Sequence, residues 1–123
     1  MRVFKTKVFG RFARRAGVGD ATLRAAIADV ERGLVDADLG GGVIKQRVAR
    51  QGAGKSGGFR TIIVFRAGDR AFYVYGFAKN ERNNIRSDEL TEFRRLATLL
   101  LGYADGEIAT AIKSGALKEV TNA

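Results

Sequence analysis

No cysteine and no histidine occur among the 123 residues. Without cysteine there is no disulfide to staple the fold and no thiolate nucleophile. With histidine missing too, the usual ligands of a structural zinc site are gone. Imidazole acid–base chemistry is excluded as well, so catalysis near neutral pH falls to lysine, arginine, carboxylates, tyrosine or hydroxyls whose pKa values are moved by neighbours. Long apolar runs are also lacking: the longest, at residues 96–102, is far shorter than the roughly 20 residues that span a bilayer. The basic start, residues 1–7, is followed by Val8, Phe9 and Gly10 and then by Arg11, which leaves no apolar segment of secretory-signal length. The expectation is a cytoplasmic protein with no membrane role.

Acid is the other scarcity. Lysine and arginine number 22 against 13 aspartates and glutamates, a net charge of +9. A 46% hydrophobic content with 9% aromatics suffices for one core, so residues 1–123 read as a single domain with charge laid over a folded body. Two blocks hold no acid at all. Residues 1–19 carry Arg2, Lys5, Lys7, Arg11, Arg14 and Arg15, and residues 43–66 carry Lys45, Arg47, Arg50, Lys55, Arg60 and Arg66. Such a distribution points to a polyanionic partner, nucleic acid first.

The periodicity predicts a small α+β domain. A short strand at residues 3–5 leads to a helix at 7–16, with Phe9, Phe12, Ala13 and Ala16 on one side and Gly17 as its stop. Asp20 is expected to cap a second helix whose stripe is Leu23, Ala26, Ile27, Val30 and Leu34. After the break at Gly40, Gly41 and Gly42, residues 43–49, 61–65 and 71–77 read as three strands of an antiparallel sheet, the last two joined by a Gly/Asp turn at 66–70. Residues 51–58, rich in glycine and serine, read as a loop. Ser87 is expected to cap a helix carrying Leu90, Phe93, Leu96, Ala97 and Leu100. Asp105 is expected to cap a last helix with Ile108 and Ile112. Two N-terminal helices, an antiparallel sheet and C-terminal helices are the predicted architecture.

Strand geometry then places charge. Lys45 and Arg47 project from one face, opposite Ile44, Gln46 and Val48, and Arg60 lies at a strand end. They contact a phosphate chain or merely solubilise an edge. Lys55, among Gly52, Gly54, Gly57 and Gly58, either closes over a bound strand or is an ordinary loop lysine. Gly54, Lys55 and Ser56 lack the spacing of a phosphate-binding GxxxxGK loop, so nucleotide hydrolysis is rejected. The stretch at residues 76–85 sets Lys79 and Arg82 beside Glu81, Asn80, Asn83 and Asn84. It reads as a site rim, the cations neutralising a phosphate and the amides taking ribose or base edges, or as a polar connector with local ion pairs. Tyr73, Tyr75 and Phe77 share one parity and read as core more readily than as a base-stacking platform.

The segments Gly57-Gly58-Phe59-Arg60, Tyr75-Gly76-Phe77-Ala78-Lys79-Asn80-Glu81-Arg82 and Asn84-Ile85 together resemble the RelE/ParE superfamily of bacterial toxins, with a closer likeness to HigB-type members. The resemblance covers nearly the whole chain. It implies a small RelE-like microbial RNase fold and the toxin of a type II toxin–antitoxin system: an endoribonuclease that cleaves translated mRNA on the ribosome and is neutralised by a cognate antitoxin with a helix-turn-helix domain. By resemblance Arg60 is the transition-state clamp, and Lys79 and Arg82 are basic positions of the motif after the last strand. From the residues themselves, Glu81 is expected to be an organising carboxylate or a proton acceptor, and Lys45, Arg47, Lys55, Asn80 and Asn84 are expected to bind RNA. Neither a metal nor a cofactor is implied. Asn80 stands where the family motif has arginine, and Asn83, Asn84 and Ile85 stand where a tyrosine often follows. The same fold also serves ParE-like gyrase inhibitors, so gyrase inhibition and noncatalytic RNA binding are the alternatives.

Overall fold

The computed structural model describes residues 1–50 and 54–121, with backbone alone at residues 50 and 54–57. The element order is β1 (Arg2–Thr6), α1 (Lys7–Ala16), α2 (Asp20–Glu31), β2 (Ala37–Gly40), β3 (Val43–Arg50), β4 (Gly54–Arg66), β5 (Arg70–Ala78), α3 (Ser87–Leu101), α4 (Asp105–Ser114) and β6 (Leu117–Glu119). These strands form one six-stranded sheet in the order β2-β3-β4-β5-β1-β6. Helices α1 and α2 cover one face, and α3 and α4 the other.

The sheet is mixed, not antiparallel as expected, because β1 runs parallel to β5 while pairing antiparallel with β6. The reason lies in two adjacent side chains. Val3 and Phe4 are both buried, one in each core, and a strand that is apolar on both faces belongs inside a sheet. From β5 outward, β4, β3 and β2 follow as antiparallel neighbours. The short strand β2, which the sequence pattern missed, is held to β3 through Gly40, Gly41 and Gly42, all at positive φ. Part of the expected loop is also strand: residues 54–58 open β4, whereas residues 51–53 lie outside the described residues.

Helix starts differ from expectation in one consistent way. Asp20, Ser87 and Asp105 are first helical residues, and the caps are Gly19, Arg86 and Ala104, none with a side-chain cap bond. At the last two helices a glutamate reaches back instead: Glu89 accepts from the Arg86 N–H at 2.7 Å and Glu107 from the Ala104 N–H at 2.9 Å. That satisfies a donor the expected caps would have left to themselves. Asp20 is drawn away to Lys5 Nζ at 2.8 Å and the Thr121 N–H at 3.1 Å. Leu34 lies beyond the end of α2 and is exposed. Gly17, as expected, ends α1 in the left-handed conformation.

A register shift between Ile62 and Ile63 decides which aromatics share a face. Ile62 pairs with Tyr75 but Ile63 with Tyr73, so Val74 is the extra residue. Tyr73 therefore lies in the α1/α2 core, stacked 4.9 Å from Phe9, with its hydroxyl donating to the Leu23 carbonyl at 2.8 Å. Burial pushes its pKa up. Tyr75 and Phe77 remain together on the α3 side, 6.0 Å apart. The shared parity of all three is thus corrected.

On the α1 side, Phe12 lies over Gly76 and meets Phe59 edge-on at 5.4 Å. A Cβ at Gly76 would come within 2.5 Å of the Phe12 ring. Gly76→Ala should therefore cost about 1–3 kcal/mol in denaturant unfolding, and pairing it with Phe12→Ala should remove most of the added penalty.

Candidate nucleic-acid interface

Register fixes a row of side chains across three strands. Arg47 on β3 stands opposite Arg60 on β4, which stands opposite Phe77 on β5; one row further in, Lys45, Ile62 and Tyr75 are aligned. Alternation puts all six on the face where Val43, Ile62 and Val64 pack with Ala97 and Leu100 of α3. Towards Arg47 the helix no longer covers the sheet: Arg47 is exposed, and Lys45 and Arg60 are partly so.

Lys45, Arg47 and Arg60 thus share one face, and none of the three forms a side-chain ion pair among the described residues. Like charges directly opposite on a sheet are destabilising. Among the described residues, the Arg47 and Arg60 side chains form no ion pair, although the Arg47 backbone N–H is held by Asp36 at 2.5 Å. Arg60 Nη1 is buried and, among the described residues, has no hydrogen-bond partner. An unsatisfied buried donor costs about 1–3 kcal/mol, more when charged, and an anion between Arg47 and Arg60 would relieve both penalties.

Arg82 borders this groove in a different state. Its guanidinium grips Glu89 with two bonds, Nη1 to Oε2 at 3.2 Å and Nη2 to Oε1 at 2.5 Å. Nη1 also donates to the Tyr75 hydroxyl at 3.1 Å and Nε to the Asn84 carbonyl at 3.0 Å. The guanidinium carbon lies 5.5 Å from the Phe77 ring centroid. Hydrogen bonding to Glu89, then to Tyr75, raises the Arg82 pKa, while Arg82 holds the Glu89 carboxyl down at about 2. Asn84 completes the rim: its Oδ1 accepts from Ile85 N–H at 2.9 Å and lies 3.5 Å from Lys45 Nζ.

The other expected site residues are distributed differently. Asn80 and Glu81 line a cavity of about 460 Å³ on the α1 side, with Phe12, Arg15 and Phe59. Lys79 is exposed in the turn between the two sides and forms no ion pair among the described residues. The Lys55 side chain lies outside the described residues. Lys45, Arg47, Arg60, Arg82 and Asn84 are the residues brought together. Sequence reasoning missed Glu89 and Tyr75 as parts of the rim. Their only signals were a first-turn acid seven residues after Arg82 and an aromatic two before Phe77.

No helix among the described residues is long and apolar enough to cross a membrane, and no group of three or more acidic side chains among them is arranged to hold a metal ion. A family model described as the RelE toxin of the RelE/RelB toxin–antitoxin system matches residues 1–120. Among curated proteins, none matches the chain.

The Arg82–Glu89 pair carries a pH signature. Because the Glu89 pKa is lowered in the folded chain to about 2, the stabilisation is fully present above the unfolded value and is lost as pH falls through the folded one. The Tm difference between wild type and Glu89→Gln should accordingly shrink as pH drops from about 6 to about 2. A difference that stays constant over that range would remove the ion pair from the account.

Proposed function

The chain belongs to the RelE toxin family of toxin–antitoxin systems, and we propose that it is a HigB-type mRNA endoribonuclease that acts on translated messages at the ribosome. The observation that carries this reading is the opposed Arg47 and Arg60, with an Arg60 Nη1 that is buried and unpartnered among the described residues. Residues 1–123 act as one domain in the cytoplasm, and a cognate antitoxin with a helix-turn-helix domain neutralises the cationic groove.

The reaction is attack of a ribose 2′-hydroxyl oxygen on the adjacent phosphorus. The 2′-hydroxyl proton passes to a base, the P–O5′ bond breaks, and a proton is delivered to the departing 5′-oxygen. The products are a 2′,3′-cyclic phosphate and a 5′-hydroxyl. The Arg60 guanidinium donates to the phosphate and stabilises the charge that builds in the transition state. Arg47 and Lys45 hold the flanking phosphates, and Lys55 is a further RNA-binding lysine. Arg82, anchored by Glu89, fixes the positive wall beside Tyr75 and Phe77 and acts as the second clamp. Lys79 or Lys45 serves as base, taking the 2′-hydroxyl proton. Glu81 organises the turn that bears Lys79, and Asn80 and Asn84 take ribose or base edges. This chemistry needs no metal and no cofactor.

Primer extension on translating ribosomes tests the assignment. Arg60→Ala should lower cleavage by about 10²–10³-fold and Lys79→Ala by about 10²-fold, with circular dichroism unchanged. Full cleavage by both variants would overturn the site. Intact mRNA with inhibited DNA gyrase would replace the ribonuclease by a ParE-like activity, and saturable binding without new RNA ends would leave a binding module.

A further inference from the structure

The first acid-free block of the sequence takes no part in the groove, and the fold gathers most of it elsewhere. Helix α1 has no acid in its first turn, begins with Lys7 and ends with Arg14 and Arg15. A cation at a helix N-terminus opposes the helix dipole, and like charges four apart, as at Lys7 and Arg11, repel. Both are small costs, and they recur beside the helix: Lys5 on β1 stands directly opposite Lys118 on β6. Lys5 is balanced by Asp20 at 2.8 Å. Lys7, Arg11, Arg14 and Lys118 are exposed and form no ion pair among the described residues.

These side chains surround a depression of about 200 Å³ whose lining also includes Gly10 and Gly115. A Cβ built at Gly115 would meet nothing within 4 Å, and one at Gly10 would meet only Arg14, at 4.0 Å. Gly115 therefore presents bare backbone to close approach, while Gly10 is buried beside Arg14. The lining contains no aromatic or branched apolar side chain. Stable protein interfaces rely on such anchors, whereas contacts to a phosphate backbone rely on cations and exposed backbone. Lys7, Arg11 and Arg14 form a row about 10 Å long on the helix, enough for two or three consecutive phosphates. Since α1 packs against Tyr73 through Phe9, this patch lies on the sheet face opposite the Arg47–Arg60 groove.

We infer that the α1 patch is a second RNA-binding surface, which grips the phosphate backbone of folded RNA while the groove on the far face takes a single strand. It goes beyond the ribonuclease reading and does not need cleavage in order to be tested. The protein would be held to a structured RNA by one face and act on an unpaired strand with the other.

The test uses a triple variant, Lys7→Gln, Arg11→Gln and Arg14→Gln, and a control of equal charge loss, Arg32→Gln, Arg66→Gln and Arg95→Gln, whose arginines are already paired with Asp29, Asp69 and Glu92. Affinity is measured for a 16-base-pair RNA hairpin (about the length a double-strand-binding domain spans) and for a short single-stranded RNA, each over a salt series. The patch variant should bind the hairpin at least about tenfold more weakly, with a log–log salt slope reduced by about 2 to 3. Its single-strand affinity should stay within about twofold of wild type, and the control should match wild type on both probes. Circular dichroism and Tm verify the fold, and removing repelling cations should not lower Tm. An unchanged hairpin affinity and slope would overturn the inference, as would equal losses in patch variant and control. Capture of poly-glutamate by the patch with the hairpin unaffected would overturn it in favour of an acidic protein. Failure of the ribonuclease reading shows separately, as absent RNA ends or lost single-strand binding.

Discussion

Arg47 and Arg60 face each other across adjacent strands, and neither side chain forms an ion pair among the described residues. The folded chain tolerates the repulsion because the same strands are clamped from both sides. Ile44, Val48 and Ile63 are buried under α1 and α2, and Val43, Ile62 and Val64 under α3. Each fully buried side chain of that kind stabilises by about 1.5–3 kcal/mol, against roughly 0.2–1 kcal/mol for an opposed like-charge pair. Core burial therefore wins, and the cations are held at a fixed spacing with their electrostatic cost unrelieved. A site prepared in this way gains from an anion what the fold alone gave up.

The rest of the molecule refines that arrangement. The bulge at Val74 sends Tyr73 into one core and leaves Tyr75 and Phe77 on the other face, so the groove has an aromatic wall. Glu89 then does two jobs in one place. It accepts from the Arg86 N–H where α3 begins and pins the Arg82 guanidinium against Tyr75. The helix start and the groove wall are thereby one unit. On the reverse face, Gly76 admits Phe12, and the cavity beside Phe12 receives Asn80 and Glu81. The turn after β5 thus divides its polar residues between the two sides of the sheet.

Helix α1 and strands β3, β4 and β5 were legible in the sequence because apolar periodicity and glycine stops are local signals. The α+β class, the gathering of Lys45 and Arg47 on one face, and the family were legible too. The interior position of β1, between β5 and β6, was not, since five residues with two buried neighbours give no hint of a parallel partner almost seventy residues away. Strand β2 was hidden by its length and its aspartate. The expected caps at Asp20, Ser87 and Asp105 were off by one residue because tertiary partners and reaching glutamates took over the local hydrogen bond. Phase along β5 was misread past Val74, as a bulge leaves no mark on alternation until the partner strand is known. The ion pair between Arg82 and Glu89 had the same origin: both residues were visible, but only the chain's turn into α3 brings them together.

Binding of a 2′-O-methyl RNA oligonucleotide, which cannot be cleaved, tests most directly whether the arginine row is an anion site held under strain. Arg60→Met removes the orphaned donor and one of the opposed charges, so the variant alone should be as stable as wild type or more so. The oligonucleotide should raise the Tm of wild type and leave that of the variant almost unmoved. A variant that is markedly less stable and still gains the full ligand-induced shift would contradict the account.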